Sequence, residues 1–468
     1  MKILLVQPGY LYSPKWGKKQ SLKPYLLYLY SFLKKQHHDV EVLDLEVELG
    51  RPWNEKLVEQ YKKKSMKLLS KYDFDVLGIS CWLSLSYTAS LLVAKMARKI
   101  NPHCKIVVGG YHPTAVPKDF VLKEKLFDYV ITGEGSITLS NLLRNLKNNT
   151  HKKTKIIKGV PDDFKNYLEL DVEGYGYMPE ERKTGIYLSK GCPFSCYFCM
   201  EPCKGNSWVS YSVKNSIKKI EEVVAKLNPK RISFYDPCFG LDTEWRRKFL
   251  RELVRRKFDV SFWAETRHDL LSKKDIDLIS QLDFRIDFGL ESASIEMLKI
   301  MNKSSNPARY LEQFEKVSNH CDKKEVLHTT YLTFNHPGET RATIKESFKY
   351  LFKLLNKKYK TFLTFGGGKY VFFPGSQVYY NMEYYERIYR TIIMFKEWWK
   401  ERKNYYRLAS SVIPSSDLAE DINMWEKRYD NLLKLNYEKH HDDWESKFKR
   451  GIYDDFSMDN AAVKDRCS

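Results

Sequence analysis

The sequence predicts an α/β protein. It has a doubly wound parallel-sheet domain over residues 1–148, a (β/α)6 partial barrel over 184–380, and a mostly helical region over 381–468. Three observations carry this reading. Short apolar runs alternate with amphipathic helical stretches in both of the first two regions, the pattern of parallel sheets covered by helices. A polar, turn-rich stretch at 149–183 separates the two series. After residue 380 the alternation stops.

In the first region the strand candidates are Ile3–Val6, Val40–Leu43, Val76–Ser80, Lys105–Val108 and Tyr129–Thr132. Helices are expected around Tyr25–Lys35 and Tyr87–Lys99 and up to Leu146. A doubly wound sheet binds its ligand at the carboxyl ends of its strands. Those ends carry Gln7-Pro8-Gly9, Gly109-Gly110 and Gly133-Glu134-Gly135. Glycine lets backbone approach a ligand closely, and helix N-termini favour phosphate. No G-x-G-x-x-G follows the first strand, which disfavours a dinucleotide.

In the second region six strands are expected: Thr184–Leu188, Arg231–Tyr235, Val260–Ala264, Arg285–Gly289, Val326–Phe334 and Lys369–Phe373. Helices fall between them, around Val213–Leu227, Glu244–Lys257, Lys274–Leu282, Pro307–Asn319 and Thr340–Leu355. A right-handed βα series rolls into a barrel with its site at the C-terminal strand ends. Polar groups gather there: Asp236, Glu265, Arg267, Glu291, Ser292 and the Asn335–Thr340 stretch. Thr340 and Ser292 also read as helix caps.

The first of these strands is followed by Gly191-Cys192-Pro193-Phe194-Ser195-Cys196-Tyr197-Phe198-Cys199. With 9 cysteines in 468 residues, chance places C-x3-C-x2-C in such a chain about 0.003 times. Closely spaced thiolates on one loop suit an iron–sulfur cluster. Three ligands on a four-iron cube leave one iron open to a further ligand. Zinc wants a fourth ligand, usually from a second pair, and no second pair exists. Cys203 is a conceivable fourth ligand, but a lone extra cysteine usually packs as a small apolar side chain.

The loop resembles the signature of the radical S-adenosylmethionine (SAM) enzymes, with Phe198 as the aromatic before the last cysteine. The resemblance implies a [4Fe-4S] cluster on Cys192, Cys196 and Cys199, SAM chelated by the open iron, and reductive release of a 5′-deoxyadenosyl radical. Val107–Pro113 and Asp128–Gly135 resemble the cobalamin (B12)-binding, Rossmann-like domain that precedes many radical SAM domains. That implies cobalamin contacts from Gln7, Pro8, Tyr10, Ser80, Trp82, Ser84, Gly109, Gly110, Tyr111, Gly133, Glu134 and Gly135. The D-x-H-x-x-G motif of other B12 domains is absent, as it commonly is in this subgroup. Side chains such as Tyr10 or Trp82 would then cover the lower face of cobalt, and His112 reads as a turn residue. Gly289–Ser292 with Met301-Asn302-Lys303, Pro337–Thr340 and Phe373–Ser376 are similar to the G-x-E-S…MNK, PGET and YPGT stretches of B12-dependent members. By that match Phe198, Asp236, Glu265, Arg267, Glu291, Ser292 and Gly338 would meet SAM.

The implied activity is C-methylation of an unactivated carbon in a small molecule or peptide. An external one-electron reductant such as flavodoxin or ferredoxin would feed the cluster. Rearrangement or cyclisation, RNA modification, and a non-catalytic cobalamin- or cluster-binding sensor are the alternatives. The net charge of +20 could serve a nucleic acid, but the lysines are spread along the chain and no RNA-binding fingerprint occurs. Scattered cysteines argue against a disulfide framework and for the cytoplasm, and no apolar run reaches membrane-span length. Beyond 380, Tyr385, Ile388, Ile392, Phe395 and Trp399 recur at helical spacing. This predicts one amphipathic helix packed on the barrel or closing over its mouth. The tail from about Asp455 reads as mobile.

Overall fold

The computed structural model describes residues 1–12, 23–121, 126–150, 155–161, 170–177, 183–205, 207–357, 359–401, 405–432 and 434–435. The tail from Asp455 lies outside them. Two six-stranded sheets, parallel throughout, organise the chain.

The first sheet has the order β2-β1-β3-β4-β5-β6. Its strands are β1 (Lys2–Gln7), β2 (Asp39–Asp44), β3 (Val76–Ser80), β4 (Lys105–Gly109), β5 (Tyr129–Thr132) and β6 (Ile156–Lys158). The edge strand β6 falls within the stretch read from sequence as a linker. Strands buried on both faces read as continuous apolar runs, and the odd and even residues of β1 go to different cores. Ile3 and Leu5 pack with Leu26 and Leu27 of the helix Pro24–Lys35. Leu4 and Val6 pack with Val93 and Ala97 of the helix Tyr87–Ile100.

A short hairpin, β8 (Ser189–Lys190) with β9 (Val209–Ser210), brackets the cysteine loop. The second sheet has the order β14-β13-β12-β11-β10-β7, from β7 (Lys183–Ile186) through β10 (Arg231–Phe234), β11 (Ser261–Thr266), β12 (Phe284–Glu291) and β13 (His328–Phe334) to β14 (Phe362–Lys369). The first and last strands do not pair, so the barrel is partial. Its last strand ends at Lys369 rather than beginning there, which corrects the expected Lys369–Phe373. The run Phe362-Leu363-Thr364-Phe365 leads into three glycines, a composition that reads as a loop, yet it pairs along β13.

The predicted long C-terminal helix is also corrected. It ends at Tyr389, where Arg390 turns left-handed with φ +56°. Ile392 then enters a small antiparallel hairpin with Ile413. Ile388, Ile392 and Phe395 are exposed, so helical spacing there marks no buried stripe. The region bridges both sheets rather than packing on the barrel alone. Trp398 and Trp399 are buried against the first domain, where Trp399 Nε1 donates to Asp119 over 2.7 Å. The helix at 422–432 docks on the barrel, with the Tyr429 ring 3.8 Å from Phe334.

Candidate active site

A cavity of about 420 Å³ lies where the carboxyl ends of the first sheet face the mouth of the partial barrel. Its floor is one face of the first sheet: Leu5, Gly78, Ser80, Val107, Gly109, Ile131 and Gly133, with Gly110 and Gly135 just beyond the strands. Ser80 pairs in register with Gly109, so a row of minimal side chains crosses the sheet. A Cβ at Gly110, where φ is +124°, would meet the Cys81 carbonyl oxygen at 2.3 Å; at Gly133 it would meet nothing within 4 Å. One glycine is therefore needed by the fold, and the other leaves open space. Trp82 lines the wall, stacked on Tyr25 at 4.0 Å and edge-on to Tyr111 at 4.9 Å.

Gln7 is fully buried, and neither its amide oxygen nor its amide nitrogen has a hydrogen-bond partner. By alternation it shares the face of Leu5, which lines the cavity. An orphaned buried amide costs about 1–3 kcal/mol; Gln7 itself does not line the cavity. The other sequence-named residues of the first domain separate. Ser80, Trp82, Gly109, Gly110, Tyr111, Gly133, Glu134 and Gly135 line the cavity; Pro8, Tyr10 and Ser84 do not. The Pro8 carbonyl accepts from Tyr61 Oη, and Tyr10 lies under Arg51 at 4.6 Å. Ser84 bonds His112 Nδ1 at 2.8 Å in a buried network that reaches Asp119.

The opposite wall comes from the barrel: Tyr187, Ser189, Lys190, Gly191, Glu201, Lys204, Tyr235, Asp236, Trp263 and Glu265. Two ion pairs border it. Lys190 meets Glu134 across the domains at 3.2 Å, and Lys204 meets Glu201 at 3.3 Å. Glu201 also accepts from Tyr111 Oη of the first domain. Asp236 accepts from the Leu188 amide at 2.8 Å and Ser189 Oγ at 2.5 Å, fixing the chain just before the cysteine loop. Burial raises its carboxyl to about 7.

The cysteine loop is clamped at several points. Gly191 has φ +76°, and a Cβ there would meet the Ser207 carbonyl oxygen at 1.9 Å. The Tyr197 amide donates to Met301 O at 2.9 Å, Asn302 Nδ2 to Ser195 O at 2.8 Å, and the Val378 amide to Tyr197 O at 3.1 Å. The Met301-Asn302 pair thus has a role that sequence alone left unread: it holds the loop. Cys196 is buried, and the Glu201 amide donates to Cys199 Sγ at 3.4 Å. Burial holds the free thiols of Cys192 and Cys199 at about 11 and 12. As thiolates they need cationic partners, which iron provides. Arg267 and Lys303 both interact electrostatically with Cys196. Among the described residues no three His, Cys, Asp or Glu side chains converge to hold a single metal ion. Cys203 sits beside Gly375.

The residues named for SAM divide in two. Asp236 and Glu265 face the cavity. Arg267 lies on the cysteine loop instead, its guanidinium 4.0 Å over Phe194 and paired with Asp269 at 2.8 Å. Burial opposes its charge, but Asp269 and Tyr310 outweigh that and raise its pKa. Its second terminal nitrogen, Nη1, is buried with no partner. Glu291 sits at a bulge with φ +67°, bonded to Lys303 at 3.1 Å and Thr333 at 3.2 Å. Lys303 stands 5.8 Å from the Phe198 ring. Ser292 points to Ser347 on a barrel helix at 3.3 Å, and Ser294 rather than Ser292 caps the next helix. Thr340 caps its helix as expected. Gly338 packs under the C-terminal region, its amide donating to Pro414 O at 2.9 Å.

A Rossmann-like sheet with a glycine cradle, facing a partial barrel that carries a three-cysteine loop, defines an enzyme with a cofactor site on each domain. Family comparisons agree. Residues 24–143 match the B12 binding domain, and 186–351 match the radical SAM superfamily. The chain is 25% identical over 376 residues to an uncharacterized methyltransferase of Pyrococcus horikoshii, covering 76% of this chain and 78% of that one. It is 25% identical over 343 residues to the hopanoid C-3 methylase of Methylococcus capsulatus, covering 67% and 62%. Among solved structures, the radical SAM methyltransferase TsrM of Kitasatospora setae, with cobalamin and [4Fe-4S] cluster bound, superposes with TM-score 0.67 at 16% identity. That match covers 94% of this chain and 89% of that one. The cobalamin-dependent SAM radical enzyme OxsB gives 0.65 at 16% identity, covering 83% and 61%. The chain belongs to the cobalamin-dependent radical SAM enzymes, whose cofactors are a [4Fe-4S] cluster, SAM and cobalamin. The residues present fit all three: a thiol trio beside two cations, a buried guanidinium nitrogen without a partner, and an open glycine cradle. Among the described residues no helix is long and apolar enough to cross a membrane.

Proposed function

We propose that this enzyme methylates an unactivated carbon of a small molecule or peptide. The single observation that carries the reading is the shared cavity, with a glycine-rich sheet floor on one side and Gly191, at the start of the cysteine loop, on the other. When bound, the cluster with SAM supplies a hydrogen-abstracting radical, and cobalamin supplies the methyl group.

The chain's own residues then do the following. Cys192, Cys196 and Cys199 hold the cluster, and Met301 and Asn302 hold their loop. Arg267 offers Nη1 to the SAM carboxylate, and Glu291 takes a donor from SAM beside Lys303 and Phe198. Ser80, Gly109, Gly110, Gly133 and Gly135 would let cobalamin approach the sheet, with Trp82 on the adjoining wall. The facing walls of the two domains would limit the water that reaches the radical. A flavodoxin or ferredoxin supplies the electron.

The test is anaerobic incubation of reconstituted enzyme with SAM, cobalamin, reductant and host extract, read by mass spectrometry. A product heavier by a methyl group supports the reading. A product of unchanged carbon count, with SAM cleaved, assigns rearrangement or cyclisation instead. Cys196→Ala is expected to lose both cluster absorbance and SAM cleavage; cleavage that survives contradicts the assignment.

A further inference from the structure

The two acids expected at SAM but found in the cavity pose a separate question. Strand β11 alternates. Phe262 and Ala264 enter the outer core, while Trp263 and Glu265 face the barrel interior and the cavity. Trp263 is fixed there because its Nε1 donates to Asp287 at 2.9 Å, and Asp287 is itself bound by Arg285 at 2.8 Å. On the neighbouring strand end the Tyr235 ring packs against Gly185 of β7. A Cβ at Gly185 would come within 1.9 Å of the Tyr235 ring, so the glycine makes room for the tyrosine. Tyr235 is nonetheless 46% exposed, and Glu265 is exposed, both on the cavity wall. The two rings stand 6.1 Å apart at 66° and form a corner rather than a stack.

The charges of the same wall are already matched, except one. Lys190 is paired with Glu134, and Lys204 with Glu201. Asp236 is occupied by the Leu188 amide and Ser189 hydroxyl. Among the described residues no basic side chain forms an ion pair with Glu265. Enclosure in the cavity wall first, then Asp287 and Glu291, raise its carboxyl to about 7 against the opposing effects of Arg285 and the Tyr331 hydroxyl, so a cationic neighbour on the cavity side would stabilise its ionised form. Arg267 and Phe198, by contrast, lie off this wall, at the cysteine loop.

We infer that Tyr235, Trp263 and Glu265 are the substrate-recognition corner, and that the substrate is a flat-ringed molecule bearing an ammonium or N–H group that meets Glu265. The inference rests on the proposed two-cofactor reading, because it places substrate between the cobalamin floor and the cluster loop. Two aromatic edges suit a planar ring, and a single unmatched carboxylate suits one cation or strong donor.

The test uses the cluster- and cobalamin-loaded protein and two probes of like shape and opposite charge, tryptamine and indole-3-propionate, in calorimetric titrations. Tryptamine is expected to bind about tenfold or more tightly than the acid, and Glu265→Gln to erase that preference, about 1.4 kcal/mol. Tyr235→Leu is expected to weaken both probes. Glu265→Gln should leave the cobalamin spectrum and SAM affinity at wild-type values. Equal affinity for the two probes overturns the inference, as does tighter binding of the acid. Loss of SAM affinity in Glu265→Gln with tryptamine binding intact returns Glu265 to SAM and also overturns it. Wild-type protein that cleaves SAM yet shows no amine preference sinks this inference alone. Protein that takes up neither cobalamin nor cluster sinks the proposed function beneath it.

Discussion

Arg267 and Glu339 are both buried charged residues, held in opposite ways. Arg267 keeps its charge through Asp269 and leaves Nη1 free of partners. Replacing it by methionine is expected to weaken SAM binding by about 10- to 100-fold, the range of a lost charge-assisted hydrogen bond, while cluster absorbance persists. An unchanged SAM dissociation constant would remove Arg267 from the site. Among the described residues the Glu339 carboxyl accepts from the Asn335 amide alone, at 2.6 Å, and burial raises it to about 8. Its unfolded pKa is near the ordinary ~4.3, so between these values the folded chain binds the extra proton and stability falls as pH rises. The contribution is fully present below about pH 4 and is lost as pH climbs to about 8. Wild type is expected to lose melting temperature from pH 5 to 8 relative to Glu339→Gln, and parallel curves for the two would contradict this. The cysteines and Arg267 were legible as residues in the sequence. Lys303 and Tyr235 were legible only as members of a motif and a strand, and Lys204 not at all, because what each touches comes from strands and loops distant in the chain. Tyr25 was legible only as the start of a helix; the return of that helix over the sheet brings it to Trp82.

Strand ends are where elements become a site. Gly135 has φ −95° and a near-free Cβ direction, with Ile131 at 3.9 Å. Phenylalanine can therefore enter there without backbone strain and project into the cavity. Gly135→Phe is expected to fold with wild-type melting behaviour but to lose at least tenfold in cobalamin affinity by spectral titration; undiminished uptake would show that the cradle is not the cobalamin floor. Most strands could be read from the sequence because parallel strands buried on both faces leave unbroken apolar runs. The exceptions have physical causes. Strand β14 was obscured by its glycines, and β6 is a three-residue edge strand with an exposed-intermediate-exposed pattern. The apolar spacing after Tyr385 coincided with helical periodicity, but Arg390 breaks the helix and the later side chains belong to a hairpin and a buried Trp pair.

At the scale of the molecule, the C-terminal region ties the two sheets together. Trp399 reaches Asp119, Lys400 pairs with Asp119 at 3.0 Å, and Tyr405 meets Thr88 at 2.6 Å. On the barrel side, Arg341 pairs with Asp421 at 2.7 Å and Ser415 donates to Glu339 O at 2.6 Å. Trp399→Ala removes a buried ring and one hydrogen bond to Asp119, which keeps Lys400 and His112, an expected loss of roughly 3–5 kcal/mol in denaturant unfolding. A loss below about 1 kcal/mol would mean the tie is incidental. The central claim is that one cavity serves two cofactors, and anaerobic reconstitution of the full chain tests it most directly. The expected result is iron and acid-labile sulfide in equal amounts, a bound cobalamin spectrum, and SAM cleaved to 5′-deoxyadenosine on reduction. Protein that holds zinc or no metal, or that leaves cobalamin free in solution, would contradict it.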